Sequence, residues 1–263
     1  MKFLIQKFLN FLGWEITRLG AKIPRETFDS LVKAYEYEVT KTRPIIGTQP
    51  RRHRILGDLI GTSPSEAYFI VESLARTHHL GGDVCEFGVA QGRTSALIAN
   101  ELLAKNRKLH LFDSFSGLPA PSVQDELIND IFGLGEMSAY EGLMKVPVKE
   151  VTRVMDALGI PKDAVVIHAG FIEQTLQNSS QLPKTVTFAY IDFDFYDGIS
   201  AALSFVEAAS VVGTEVIVDD YNFFSSGAKL AVDSFLQTTK TNSWTCNIAD
   251  QVNGFFATLV RVE

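Results

Sequence analysis

Cysteine is scarce in this sequence: among 263 residues only Cys85 and Cys246 carry a thiol. No disulfide framework is needed or available, Cys85 falls in an apolar stretch that suits a small core residue, and a reducing cytoplasm is the expected compartment. Long apolar runs are missing too. The amino-terminal stretch Met1 to Leu19 carries Phe3, Leu4, Ile5, Phe8, Leu9, Phe11, Leu12, Trp14, Ile16 and Leu19, but Lys2, Gln6, Lys7, Asn10 and Arg18 interrupt it. Those interruptions exclude a membrane span of roughly 20 apolar residues. With no Ala-x-Ala-like site after it, the stretch does not read as a signal peptide either. It is expected to form an amphipathic helix packed on its own body or on a second subunit, so a homo-oligomer is anticipated. A peripheral membrane contact through residues 1–20 is the other reading, because Phe and Trp beside Lys suit a helix lying in the membrane surface.

Positive charge is also in deficit, with 24 Lys+Arg against 31 Asp+Glu and a net charge of −7. Residues 1–60 hold 11 basic against 6 acidic side chains, which leaves 13 against 25 for the rest. An acidic body repels phosphates and argues against a nucleic-acid partner. It suits a metal cation and a neutral or cationic small molecule. The length is enough for one large α/β domain with an appendage, read as a helical extension over residues 1–60 followed by a catalytic domain over residues 61–263. Pro24, Pro44 and Pro50 punctuate the extension around a helix expected from Glu26 to Thr40, and Thr62 or Ser63 before Pro64 reads as the next helix start.

The dinucleotide fingerprint is a further absence. Aligning its second glycine on Gly88 requires glycines where Glu86 and Gln91 stand. What is present is Asp83 to Ser95, a short apolar strand (Val84, Cys85, Phe87, Val89) running into a glycine turn and then a helix through Ala96, Leu97 and Ile98. Gly88 permits backbone torsions that a side chain forbids, Gly92 permits close approach of strand and helix, and Thr94 or Ser95 can cap the helix. Such a turn is expected to present unpaired backbone N–H groups to a ligand. The second strand, Leu109 to Asp113, ends on a carboxylate roughly 20 to 25 residues beyond the glycine turn, where an acidic residue accepts from ribose hydroxyls. Ser114 stands beside it.

Between Asp113 and a third strand over residues 164–168 lie about 50 residues, more than one helix and an ordinary connection require. An insertion at about 114–150 follows, and its Gly-, Pro- and Ser-rich stretch from Ser116 to Pro147 reads as a lid. His168 reads as a satisfied strand-end histidine rather than a catalytic one. A fourth strand over residues 186–191 meets Asp192 and Asp194, and a fifth over residues 215–218 meets Asp219 and Asp220. Carboxylates so placed raise one another's pKa unless something positive sits among them. Neighbouring strand ends about 4.8 Å apart can converge on one ion, and oxygen-only ligands select a hard cation, most plausibly Mg²⁺. Trp244 to Ala249 and Phe255 to Val262 alternate like a hairpin turned at Asn253-Gly254.

A glutamate before the first glycine with the second four residues on, together with "HLFDSFSGLP", "HAGFIEQTL", "AYIDFDFYDG" and "VIVDDYNFFSSGAKLAVDSF" in that order, resembles the magnesium-dependent macrocin O-methyltransferase family over roughly residues 50–240. That family methylates sugar hydroxyls in macrolide and related antibiotics. The resemblance implies a Rossmann-like class I methyltransferase fold, a seven-stranded, mostly parallel α/β sheet with a terminal antiparallel hairpin. It implies S-adenosylmethionine bound by Glu86, Gly88, Gly92, Thr94, Ser95, Asp113, Ser114, Gly170, Phe171 and Asp192, with Mg²⁺ held by Asp192, Asp219 and Asp220. Asp192 is the first choice for the base that takes the hydroxyl proton, and Asp194 the second for either role. Catechol methyltransferases use a lysine three residues after the first aspartate; Phe195 stands there, which disfavours a phenolic acceptor. Two alternatives are kept: a nicotinamide dehydrogenase on a similar sheet, and a non-catalytic membrane-surface or scaffolding member.

Overall fold

The computed structural model describes residues 49–103, 107–239, 243–249 and 254–263, with residues 33, 37, 41, 42, 46 and 47 before them. The expected helix over residues 1–19, most of the helix over residues 26–40 and the turn at Asn253 lie outside the described residues.

Seven strands form one sheet in the order β3-β2-β1-β4-β5-β7-β6. They are β1 (Asp83–Phe87), β2 (Leu109–Asp113), β3 (Val165–Ala169), β4 (Val186–Ile191), β5 (Ser210–Val218), β6 (Trp244–Ile248) and β7 (Ala257–Arg261). The first five run parallel, while β7 lies antiparallel to both β5 and β6. The expected seven-stranded sheet with a terminal antiparallel pair is what the chain builds. Strand β5 begins five residues earlier than the apolar run suggested, at Ser210, which pairs with Val186 before an irregularity shifts the register to Phe188 and Glu215.

Helices cover both faces because the central strands β1 and β4 are buried on both sides. On one face α1 (Arg52–Leu56), α2 (Pro64–Arg76), α3 (Arg93–Glu101) and α4 (Val148–Ala157) pack, and Ile70, Leu74, Ile98, Val151 and Met155 meet Val84, Leu109, Leu111, Phe188 and Tyr190. On the other, α5 (Ile172–Asn178), α6 (Tyr196–Ala209) and α7 (Ser226–Thr238) bring Ile172, Leu203, Val206 and Val232 onto Cys85, Phe87, Ala189, Ile191 and Val216. Ser63 caps α2, its hydroxyl accepting from the Glu66 N–H at 3.1 Å with Pro64 at the first helical position. The extension is tied down by fully buried Arg52, whose guanidinium donates to both oxygens of Glu101 on α3 at 2.8 and 2.6 Å.

The segment between β2 and α4 carries one short 3-10 turn, Met137–Tyr140. It folds around its own apolar cluster, in which Met137 and Tyr140 pack on Phe195 and Phe224 from the loops after β4 and β5.

Candidate active site

The strand order reverses between β1 and β4, so a crevice opens at their carboxyl ends. Gly88 makes the join possible. With φ of +88° it occupies the left-handed region, and a Cβ there would overlap the carbonyl oxygen of Asp192. The Asp192 N–H in turn donates to the Phe87 carbonyl at 2.7 Å. Gly92, at φ +72°, is itself the N-cap of α3 and lets the turn sit against Val151 of α4. The expected hydroxyl cap is therefore corrected. Thr94 shares a hydrogen bond with Thr62 at 2.6 Å, and the hydroxyl of buried Ser95 faces the Glu86 carboxyl without a well-aligned hydrogen bond.

A second correction concerns the turn's amides. Gly88 N–H donates to the Phe112 carbonyl and Gly92 N–H to the Val89 carbonyl. Asp113 takes two more: its Oδ2 accepts from Val89 N–H at 2.8 Å and Ala90 N–H at 3.0 Å, while its Oδ1 accepts from Phe115 N–H of its own loop at 2.6 Å. The turn is closed by its own carboxylate because Asp113, at the tip of the adjoining strand, lies in register beside it. With roughly four lone-pair sites on a carboxylate, room remains for a hydroxyl donor. Ser114 donates to the Gly117 carbonyl at 2.8 Å. Gly170, at φ +134°, donates its N–H to the Asp113 carbonyl at 3.0 Å and hands the chain to Phe171, which is 36% exposed. A cleft of about 480 Å³ runs between Phe171 and Ser116, Leu118 and Glu141 of the insertion.

Glu86 lies beneath the turn, fully buried, with neither carboxylate oxygen hydrogen-bonded. Burial pushes its carboxyl up to about 8, the nearby Ser95 hydroxyl opposes the rise and Asp113 adds to it.

On the other side of Gly88, one oxygen each from Asp192, Asp194 and Asp220 lies within 4.8 Å of the others. This gathers two of the three expected ligands and adds Asp194. Asp219 stands beside them with its Oδ2 accepting from the Tyr190 hydroxyl at 2.6 Å and its Oδ1 from the Asp220 N–H at 2.8 Å. Glu66 of α2 lies 3.3 Å from the same Tyr190 hydroxyl. Burial and Asp219, Asp194 and Asp220 hold the Asp192 carboxyl well above the usual range. Asp194 is pushed up to about 7, first by burial and then by Asp219. Asp194 and Asp220 both adopt left-handed φ, +62° and +52°, as do Ala90 and Phe115 at the ends of the neighbouring strands. Such strain gathers where function requires it.

His168 is satisfied on both ring nitrogens, by His110 at 3.0 Å and Ser179 at 3.0 Å, and burial and His110 push it down to about 4. Glu66 and Tyr190 were not anticipated from the sequence. The one signal was a tyrosine in an otherwise apolar central strand, whose hydroxyl had to find a partner.

The model of the Macrocin-O-methyltransferase (TylF) family matches residues 69–257. The chain belongs to this family. It is accordingly an O-methyltransferase, and the matched span contains the glycine turn, Asp113 and all four strand-end aspartates. No curated protein matches the chain. Among solved structures it is similar to the O-methyltransferase NovP, with a TM-score of 0.64, 21% identity, and coverage of 76% of this chain and 81% of that one. It is also similar to CalS11, a calicheamicin methyltransferase, at TM-score 0.59 and 18% identity, covering 94% and 97% of the two chains. The O-methyltransferase TomG of Streptomyces achromogenes, solved in complex with SAM, follows at TM-score 0.52 and 14% identity, covering 92% and 100%. At these identities the likenesses show the fold.

Proposed function

We propose that this macrocin O-methyltransferase family member transfers a methyl group from S-adenosylmethionine to a hydroxyl of a sugar, on a glycosylated natural product or a polysaccharide, with Mg²⁺ as cofactor. The observation that carries the reading is the division of labour around Gly88. On one side a carboxylate has taken the turn's amides; on the other, carboxylates crowd within 4.8 Å. A dinucleotide's pyrophosphate needs free N–H donors at such a turn. Here the Gly88, Val89, Ala90 and Gly92 amides are engaged and the surroundings are acidic, which favours a cationic donor and disfavours a nicotinamide cofactor. The residues fit both groups. Orphaned Glu86 and the lone pair left on Asp113 suit a ligand with a cationic end and a ribose, and an all-oxygen set without His or Cys suits a hard divalent cation.

When bound, S-adenosylmethionine supplies an electrophilic sulfonium methyl, and the cation beside it favours the alkoxide form of the acceptor. Glu86, Gly88, Gly92, Asp113, Gly170 and Phe171 line the donor side, with the cleft beside Phe171 as its entrance. Asp192 and Asp220 hold the cation, and Asp219 completes the set with lone pairs that Tyr190 and the Asp220 amide leave free. Asp194, whose oxygen lies within 4.8 Å of those of Asp192 and Asp220, is the carboxylate placed to take the hydroxyl proton. The insertion serves as the lid that excludes water from the acceptor.

The test is a set of glycosylated acceptors incubated with labelled S-adenosylmethionine and Mg²⁺. Label is expected in the sugar, lost on chelation and restored by Mg²⁺. Asp219→Asn should abolish metal-dependent turnover while donor affinity stays nearly unchanged. Turnover indifferent to chelator would remove the cation from the proposal. Label in a phenol rather than a sugar would remove the acceptor class.

A further inference from the structure

The insertion is bonded to both acidic loops at once, and one buried side chain makes the connection. We infer that Asp125 is a positioning residue that holds the loops after β4 and β5 at a fixed spacing, so that their carboxylates converge ahead of any cation. The inference rests on the preceding reading that a cation sits among those carboxylates.

Asp125 is only 6% exposed. Its Oδ2 accepts from the Ser122 N–H at 2.8 Å and the Ser122 hydroxyl at 2.6 Å, which closes the insertion's own turn. Its Oδ1 accepts from the Tyr196 N–H at 2.8 Å, the first amide of α6, directly after the loop that carries Asp192 and Asp194. An anion at a helix start is favoured by the helix dipole as well as by the free amide. The Ser225 hydroxyl, 3.5 Å from the same Oδ1, donates at the better distance of 2.9 Å to the carbonyl of Asp194. Ser225 thereby links the loop after β5 to the loop after β4.

The neighbouring backbone repeats the connection. Ile128 N–H donates to the Phe224 carbonyl at 3.0 Å, and Ser226 N–H to the Glu126 carbonyl at 2.9 Å. The packing has no slack, since a Cβ on Gly227 would overlap Asp125 Oδ1. The need for a clasp follows from charge and strain. Carboxylates within 4.8 Å repel, and Asp194 and Asp220 hold costly left-handed torsions. Released, both effects would relax by spreading the loops. An aspartate is required because both oxygens must accept. An asparagine in the same place would turn an amide donor toward either the Ser122 or the Tyr196 N–H.

The test uses the full chain with Mn²⁺ as a paramagnetic probe, free and bound metal being counted by electron paramagnetic resonance. In Asp125→Ala, Mn²⁺ affinity is expected to fall about ten- to a hundredfold, the range for groups that orient metal ligands. S-adenosylmethionine affinity and far-ultraviolet circular dichroism should be retained. Asp125→Asn should weaken Mn²⁺ binding less, because one acceptor survives, and it decides the matter if the alanine variant does not fold. In metal-free protein the Tyr196 amide should exchange with solvent faster in either variant. Wild-type Mn²⁺ affinity and Tyr196 protection in Asp125→Asn and Asp125→Ala would overturn the inference. If the wild type itself binds no Mn²⁺, the cation reading fails, and Tyr196 exchange alone then decides whether Asp125 holds the loops.

Discussion

The two banks of the crevice solve the same electrostatic problem in opposite ways. At the ends of β1 and β2, Asp113 is neutralised from within, by three backbone amides at 2.6 to 3.0 Å. At the ends of β4 and β5, Asp192, Asp194 and Asp220 approach one another with their carboxyls held above the ordinary range, and only Asp219 has a hydroxyl and an amide to itself. On the first bank Asp113 is satisfied as folded, and Glu86 beneath it is left without a hydrogen bond. The second carries like charges without a counter-charge among them, and hydrogen bonds from the insertion reach both loops that hold them. A bank whose turn is satisfied from within should be sensitive chiefly in stability. A bank that takes the proposed cation should be sensitive chiefly in activity and in its response to metal.

The largest expected effect is on the second bank. Asp192→Asn should lower turnover on the order of a thousandfold, because the stabilisation a cation gives to developing alkoxide is worth several kcal/mol. The same change removes a charge from a repelling cluster, so the metal-free protein should melt no lower than wild type and should gain less on addition of Mg²⁺. A variant that loses activity and stability together would break the distinction between the banks.

Gly88 joins the banks, and Gly88→Ala should disturb both. The new methyl meets the Asp192 carbonyl at a left-handed φ of +88°. Strain and overlap together should cost about 3 kcal/mol or more, read as a lower melting temperature in the metal-free chain, with metal affinity falling as Asp192 is displaced.

How much of this was legible in the sequence follows the same division. The strands were readable because apolar runs of strand length end on glycine or aspartate, while the sheet type, the pairing of β4 with β5 and the grouping of Asp192 with Asp220 followed from the family resemblance. Side-chain partners across long separations were not readable. Asp113 takes amides from the turn 23 and 24 residues earlier, and Asp125 reaches Tyr196 from 71 residues away. Nothing in local spacing distinguishes such an aspartate from a solvated one. The hydroxyl cap expected at Thr94 or Ser95 gave way to Gly92 for a packing reason, since α3 starts against Val151 with no room for a side chain.

On the first bank, Asp113→Ala should leave the Val89, Ala90 and Phe115 amides without their acceptor. The penalty for stranded, partly buried donors is about 1–3 kcal/mol, and the loss should appear as a lower melting temperature with Mn²⁺ affinity close to wild type. Asp113→Asn should recover part of it, because the amide oxygen can still accept on the side facing the turn. If Asp113→Ala weakened Mn²⁺ binding as strongly as Asp125→Ala, the banks would have to be treated as one unit.

The most gradual effect is a pH dependence centred on Glu86. Its carboxyl titrates near 8 in the folded chain against an ordinary value of 4.5, so between those values the folded state keeps a proton that the unfolded state has lost. Stability from this group is therefore fully present below about 4.5 and declines as pH rises toward 8, by at most about 1.4 kcal/mol per pH unit. Glu86→Gln has nearly the same shape and no proton to lose. In metal-free and donor-free protein the two melting temperatures should agree near pH 4.5 and diverge upward, with the glutamine variant the more stable at pH 8. The acidic cluster contributes a slope of the same sign to both proteins, so only the difference between the two curves isolates Glu86. Parallel curves over that window would mean that the buried carboxyl finds a partner in the folded chain, and that the first bank is more self-sufficient than its orphaned oxygens indicate.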